Sequence, residues 1–107
     1  MSKLELNGYT FDWDEEKNID NQIKHGISFE LAATIWEIPE LIIDIADKRK
    51  IYKEDRWISF GQLPHDRRLV ALVAYTDVDE DIRIISARYA EGDEEPNYRK
   101  AIKGITS

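Results

Sequence analysis

The 107-residue chain contains no cysteine, which excludes disulfides, thiolate nucleophiles and sulfur-ligated zinc. It has no run of about 18 apolar residues, the length that a membrane-spanning helix needs. No secretory signal opens the sequence, so we expect a cytoplasmic location and no membrane partner. A glycine-rich phosphate loop and a G-x-S-x-G motif are also missing, which leaves no support for a nucleotide triphosphatase or a serine hydrolase.

Positive charge is scarce as well, because 15 Lys and Arg stand against 22 Asp and Glu, for a net charge of −7. Binding of nucleic acid relies chiefly on Lys and Arg, so the total charge argues against it unless basic residues cluster locally. Acidic runs occupy 77–81 and 91–95. One basic patch could take RNA: Lys48, Arg49, Lys50, Lys53 and Arg56. The charge fits equally well a solvated acidic surface that meets a basic partner.

A polarised helix is the clearest local signal, and it runs from about Asp14 to Lys24. Asp14 can accept hydrogen bonds from the free N–H groups of the first turn, and acidic residues follow it there. Lys24 and His25 occupy the last turn, and Gly26 can take the left-handed conformation that closes a helix. Ser28 predicts the cap of a second helix.

Helical spacing continues in that second helix, predicted from Phe29 to Glu37, with Phe29, Ala32, Ala33 and Trp36 facing inward. The first helix has only a thin apolar stripe, Ile19 and Ile23, so it should lie at the surface. Trp13, Trp36 and Trp57 are expected in the core, because aromatic residues supply much of a small domain's burial.

Alternating patterns then replace the helical spacing and predict four strands joined by short loops. Their predicted ranges are Leu41–Ala46, Glu54–Gly61, Arg68–Thr76 and Ile82–Arg88. The segment 62–67 predicts a hairpin loop in which His65 is an exposed turn residue. A last helix is predicted over about 91–105, with Asp93 as its cap and with Tyr98, Ala101, Ile102 and Ile105 inward.

Together these elements predict one α+β domain, residues 1–107, in the order β-α-α-β-β-β-β-α. A mixed lead-in, Leu4–Thr10, precedes the first short strand, in which Phe11 and Trp13 share a face. The four later strands form an antiparallel meander, packed with two N-terminal helices and a C-terminal helix.

The sequence also resembles the BrnT family, toxins of type II toxin–antitoxin systems. The resemblance is carried by F-x-W-D-x-x-K-N…K-H-G-I-S-F, by Arg56-Trp57-Ile58, by Gly61, and by I-I-S-A-R ending at Arg88. It implies a RelE-like ribonuclease fold, endoribonuclease activity, and a BrnA-type antitoxin partner. We expect no metal and no cofactor, a hetero-complex with two toxin copies, and contact with DNA only through the antitoxin.

Cleavage of RNA without a metal needs electrostatic stabilisation of the phosphorane, for which arginine suits best because its planar fork pairs with two oxygens. The resemblance makes Arg88 the first candidate, with Arg56 and Arg83 as companions. Strict alternation places Arg83 and Arg88 on opposite faces of a strand, so they can share a site only across a bulge or a bend. The structural alternative is ion pairing of these arginines with Glu54, Asp55 or Asp81.

Proton transfer would fall to His25, because free imidazole titrates near ~6.5, or to Lys24 with a lowered pKa. Capping of the first helix explains the same two residues without catalysis. Tyr89 is a candidate for stacking on RNA bases.

Two non-enzymatic functions remain open. The same fold could be a catalytically weak binding module that acts with an antitoxin in a DNA-bound repressor complex. It could also be a structural domain whose basic loop meets an acidic partner.

Overall fold

The fold, taken from a computed structural model that describes residues 1–48 and 55–106, is α+β. Its strands are β1 (Ser2–Leu6), β2 (Tyr9–Trp13), β3 (Ile43–Asp47), β4 (Arg56–Leu63), β5 (Asp66–Val78) and β6 (Asp81–Tyr89). Its helices are α1 (Glu15–His25), α2 (Phe29–Ala33) and α3 (Glu94–Thr106), with 3-10 turns at Thr34–Glu37 and Pro39–Leu41.

The N-terminal lead-in is a β-hairpin, so the predicted order lacked one strand. Asn7 and Gly8 both have positive φ, 51° and 84°. This is the backbone that a two-residue hairpin turn requires, and it lets β1 pair antiparallel with β2. Within the described residues, the order is therefore β-β-α-α-β-β-β-β-α.

The strands form one six-stranded sheet in the order β1-β2-β6-β5-β4-β3. The predicted antiparallel meander is confirmed for β3 to β6. The hairpin between β4 and β5 is tighter than predicted, because β4 continues to Leu63 and β5 begins at Asp66. β2 runs parallel to β6, and it pairs there only through Phe11 with Ile82 and Asp12 with Arg83.

The ends of α1 are those that the sequence predicts. The Asp14 side chain accepts from the Glu16 N–H, and Gly26 has a left-handed φ of 71°. Ser28 accepts from the Leu31 N–H and so caps α2. These contacts join residues close in sequence, which is why local pattern identifies them.

The thin apolar stripe of α1 does not face the core, because Ile19 and Ile23 are 52% and 78% exposed. Asn18 and Asn21 are buried instead. α1 lies against the part of β6 that β2 leaves unpaired, where backbone groups need hydrogen-bond partners. Asn21 donates to the Ala87 carbonyl at 2.8 Å and accepts from the Ala87 N–H at 3.1 Å.

One face of the sheet carries the main core. Phe29, Ala32, Ala33 and Trp36 are buried there as predicted, together with Trp13. Trp57 is only partly buried and packs at the margin of this core. A Cβ at Gly61 would lie 2.7 Å from the Ile35 Cβ, so the sheet at this position needs glycine.

The opposite face is partly covered by α3, which begins at Glu94, later than predicted. Tyr98 and Ile102 are buried against Leu41 and Val70. The expectation for Ala101 and Ile105 is wrong, since both are exposed. Tyr98 and Ile102, four residues apart, form the row of α3 that is buried on the sheet, whereas Ala101 and Ile105 lie on the adjacent row of the helix.

Candidate active site

A β-bulge in β6 sets the positions of the candidate arginines. Ala74 pairs with Ser86 and Tyr75 with Ile84, so Ile85 is an extra residue on β6. Arg83 lies opposite Thr76, and Arg88 lies opposite Leu72. Thr76 and Leu72 share a face of β5, and residues paired across strands share a face too. The bulge therefore places Arg83 and Arg88 on one face, the face that α3 partly covers.

Arg83 nevertheless lies away from Arg88, at the far end of this face. Their partners on β5 are separated by four positions, roughly 13 Å along a strand. Arg83 makes two hydrogen bonds to the buried carboxylate of Asp12, at 2.9 and 3.3 Å. The ion pair expected as the structural alternative thus exists, with Asp12 rather than Asp81 as the partner. Arg56 lies opposite Asp47 in the backbone register of β3 and β4.

A cleft of about 280 Å³ opens on the same face, between the end of α1 and the middle of the sheet. Its lining is His25, Ile58, Leu72, Ala74, Ser86, Ala87 and Arg88. The structure thus brings together two of the predicted catalytic residues, His25 and Arg88. Lys24, Arg56 and Arg83 do not line this cleft.

Arg88 is held by Glu94, the first residue of α3. Nη1 donates to Oε1 and Nη2 to Oε2, both at 2.7 Å. Nη1 also donates to the Tyr89 carbonyl at 3.3 Å. The hydrogen bonds from Arg88 lower the pKa of Glu94 to about 2, and the same bonds raise the pKa of Arg88. This carboxylate therefore stays ionised at neutral pH.

The loop between β6 and α3 makes this ion pair possible. Gly92 has a φ of 55°, and Glu94 Oε1 also accepts from the Glu91 N–H at 2.8 Å. Glu94 was not among the predicted site residues. No spacing rule links an arginine at a strand end to a glutamate six residues on, because their meeting depends on the turn at Gly92.

The remaining candidates lie outside the cleft. Lys48 is exposed and Tyr89 is half-buried, whereas Arg49, Lys50 and Lys53 lie outside the described residues. His65 is exposed in its turn, as predicted. Across residues 1–48 and 55–106, no group of three or more His, Asp or Glu side chains could hold a metal ion. None of the helices in that part of the chain is long and apolar enough to cross a membrane.

The cleft therefore places an exposed imidazole, a hydroxyl and a guanidinium that is hydrogen-bonded to a carboxylate beside the apolar side chains of Ile58, Leu72, Ala74 and Ala87. An imidazole can move protons near neutral pH. A guanidinium can bind and stabilise a phosphate oxyanion. This combination suits acid–base chemistry on a phosphate ester.

Comparison with known proteins agrees with this chemistry. Residues 13–94 match the family described as ribonuclease toxin, BrnT, of type II toxin–antitoxin system. The match extends from the end of β2 through β6 to Glu94. No curated protein matches the sequence.

The fold is also similar to the crystal structure of the Brucella abortus ribonuclease toxin, BrnT. That match has a TM-score of 0.50 and 23% sequence identity, and covers 77% of this chain and 96% of the Brucella chain. The family match spans most of the sequence and includes both His25 and Arg88. The chain therefore belongs to the BrnT family of ribonuclease toxins of type II toxin–antitoxin systems.

Proposed function

We propose that this toxin is a metal-independent endoribonuclease whose active site is the cleft lined by His25 and Arg88. The observation that carries the proposal is that these two residues, from α1 and β6, line one cleft. Each was a candidate on sequence grounds, and the family is one of ribonucleases.

In the proposed reaction, His25 takes the proton of the RNA 2′-hydroxyl, whose oxygen then attacks the adjacent phosphorus. The bond from phosphorus to the 5′-oxygen breaks, and that oxygen takes a proton from solvent. Arg88 stabilises the negative charge that builds up on the phosphorane oxygens. The products are a 2′,3′-cyclic phosphate and a free 5′-hydroxyl.

The other predicted residues are assigned to binding of RNA around this cleft. Arg56 and Arg83 are on the same face, and Tyr89 follows Arg88 directly. The basic segment that begins at Lys48 would contact the RNA backbone, with Arg49, Lys50 and Lys53. Two roles are open for Lys24: proton transfer and capping of α1. The relation to the RelE toxins, implied by the resemblance, stays a prediction.

A type II system implies an antitoxin partner, and we propose that it is of the BrnA type. The net charge of −7 favours a basic partner surface. We expect a hetero-complex with two toxin copies in which the antitoxin covers the region around Arg56 and Arg88. Contact with DNA would be made through the antitoxin.

The catalytically weak binding module is the second candidate function. It is favoured by one observation: Arg83 and Arg88 each make paired hydrogen bonds to a carboxylate, as arginines with a purely structural role do. This module forms the same antitoxin complex but does not cleave RNA.

The two functions are separated by incubating metal-free protein with RNA in the presence of a chelator. We expect wild type to cleave, and Arg88→Ala to reduce the rate by about 10²–10³-fold, the effect of removing one oxyanion donor. His25→Ala should reduce it by about 10²–10⁴-fold. Addition of the antitoxin should stop cleavage.

Arg68→Ala is the matched control, because Arg68 is 90% exposed and pairs with Asp66 in the β4–β5 hairpin. It removes the same charge away from the cleft and should leave the rate unchanged. A folded wild type that cleaves no RNA would leave only the binding module. Equal rates for the Arg68 and Arg88 variants would place the active site elsewhere.

A further inference from the structure

We propose that Glu94 is a positioning residue for RNA cleavage: it holds one edge of the Arg88 guanidinium so that the other edge binds the phosphate. This inference rests on the proposed function of the cleft. Glu94 acts through Arg88 and takes no part in proton transfer.

The hydrogen bonds of Arg88 divide its guanidinium into an occupied edge and an open edge. Nη1 and Nη2 donate end-on to the two oxygens of Glu94. The second hydrogen of Nη1 is directed at the Tyr89 carbonyl. A guanidinium has five N–H donors in a fixed plane, and three are used by these bonds.

The two remaining donors are the Nε–H and the second Nη2–H, which point in the same direction. Among the described residues nothing accepts from either of them. Two parallel donors on one edge are the geometry that binds two oxygens of a phosphate. Glu94 thus orients Arg88 without blocking the edge that a phosphate would use.

Arg88 and Glu94 line two different clefts, one on each side of their ion pair. Arg88 lines the cleft with His25. Glu94 instead lines a neighbouring apolar cleft, between β3 and α3, with Ile43, Ile45, Phe60, Asn97, Tyr98 and Ala101. The carboxylate therefore supports the guanidinium from the side of α3, and buried Tyr98 and Ile102 fix that helix on the sheet.

A fixed arginine matters because a catalytic group that is misplaced by about 1 Å can lose about 10²-fold in rate. Without Glu94 the long Arg88 side chain would sample several rotamers. The opposite role is a latch, in which Glu94 competes with phosphate for Arg88 and slows the enzyme. Positioning and latching predict opposite changes in kcat.

The first test compares Glu94→Gln with Glu95→Gln. Glu95 is the next residue of α3 and pairs with Arg99 at 3.0 Å, so it matches the change in charge without touching Arg88. We expect Glu94→Gln to lower kcat for RNA cleavage by about 10- to 100-fold, the usual effect of losing the partner that orients a functional group. Glu95→Gln should leave kcat unchanged. In an Arg88→Ala background, Glu94→Gln should cause no further loss.

An unchanged or raised kcat for folded Glu94→Gln overturns the proposal, and a raised kcat identifies a latch. A further loss in the Arg88→Ala background also overturns it, because Glu94 would then act independently of Arg88. Failure of the proposed function looks different: wild type does not cleave, or Arg88→Ala cleaves as fast as wild type.

The second test observes Arg88 directly, by the NMR signal of its ¹⁵Nε–H group. We expect one sharp signal in wild type and in Glu95→Gln, and a broadened or averaged signal in Glu94→Gln. Titration with a non-cleavable 2′-O-methyl RNA should shift the Nε–H signal of wild type. This readout does not need catalysis. A sharp signal in Glu94→Gln, or no shift with the RNA analogue, overturns the proposal.

Discussion

Gly26 is the residue at which α1 gives way to α2, and its φ of 71° lies in the left-handed region. A Cβ built there meets nothing within 4 Å, so the constraint comes from the backbone rather than from packing. Glycine is therefore required at residue 26 by conformation. The neighbouring His25 lies in the last turn of α1, where interaction of a side chain with the helix dipole is a weaker effect.

We predict that Gly26→Val lowers the free energy of unfolding by about 2 kcal/mol or more, because left-handed backbone is unfavourable and a β-branched side chain suits it least. His25→Ala should cost at most ~1 kcal/mol. Chemical denaturation of both variants measures this, with Gly26→Ala as the intermediate control. Equal stability of Gly26→Val and wild type would contradict the left-handed corner.

The stability of the fold should depend on pH through a second residue, Glu94. Its pKa is about 2 in the folded protein, against an ordinary value of 4.5, because Arg88 hydrogen-bonds to the carboxylate. A lowered pKa stabilises the fold fully above pH 4.5, and this stabilisation is lost as pH falls towards about 2. We therefore predict that wild type is more stable than Glu94→Gln at neutral pH and that the difference shrinks across this interval. Urea unfolding at several pH values checks it, and a difference that stays constant with pH would contradict it.

At the scale of elements, α1 and β6 are joined by Asn21. Its amide satisfies both the N–H and the carbonyl of Ala87, as a neighbouring strand would. Asn21 also donates to the Ile27 carbonyl at 3.0 Å, so one side chain joins α1, its closing corner and β6.

Asn21→Ala should lower the free energy of unfolding by about 2–4 kcal/mol, because it leaves buried backbone groups without partners. Gln22→Ala is the control on the same helix, since Gln22 is exposed. Thermal or chemical unfolding compares the two variants. A similar loss in both would mean that Asn21 does not anchor α1.

The contrast between α1's ends and its buried face shows what sequence can predict here. Caps depend on neighbouring residues, and Asp14, Gly26 and Ser28 were predicted correctly. The buried side of α1 depends on β2 leaving the edge of β6, a tertiary event that hydrophobic periodicity does not report. Two isoleucines therefore face solvent and two asparagines face inward.

The same distinction applies to the candidate site. His25 and Arg88 were identified from a local corner and a family motif. Their meeting in one cleft depends on how α1 packs on β6, and the common face of Arg83 and Arg88 depends on the bulge at Ile85. The contact of Glu94 with Arg88 depends on the turn at Gly92, which has a positive φ. Each of these is a property of folded backbone that alternation alone does not encode.

For the whole molecule, the dominant property is the net charge of −7. We predict that a basic antitoxin surface is steered to the toxin by this charge, so that added salt slows association much more than it speeds dissociation. Stopped-flow mixing at increasing salt measures both rates. Association that is independent of salt would contradict the predicted steering.

The ion pair between Arg88 and Glu94 also has a consequence for how the toxin is made. A ribosome adds residues from the N-terminus onwards, so Arg88 is synthesised before Glu94 and before the α3 residues that pack on the sheet. On the proposed role of Glu94, a chain that stops after β6 carries its arginine without the carboxylate that orients it. Interrupted translation would then release fragments that are poor ribonucleases, and the cell that makes the toxin would be harmed mainly by chains that extend into α3.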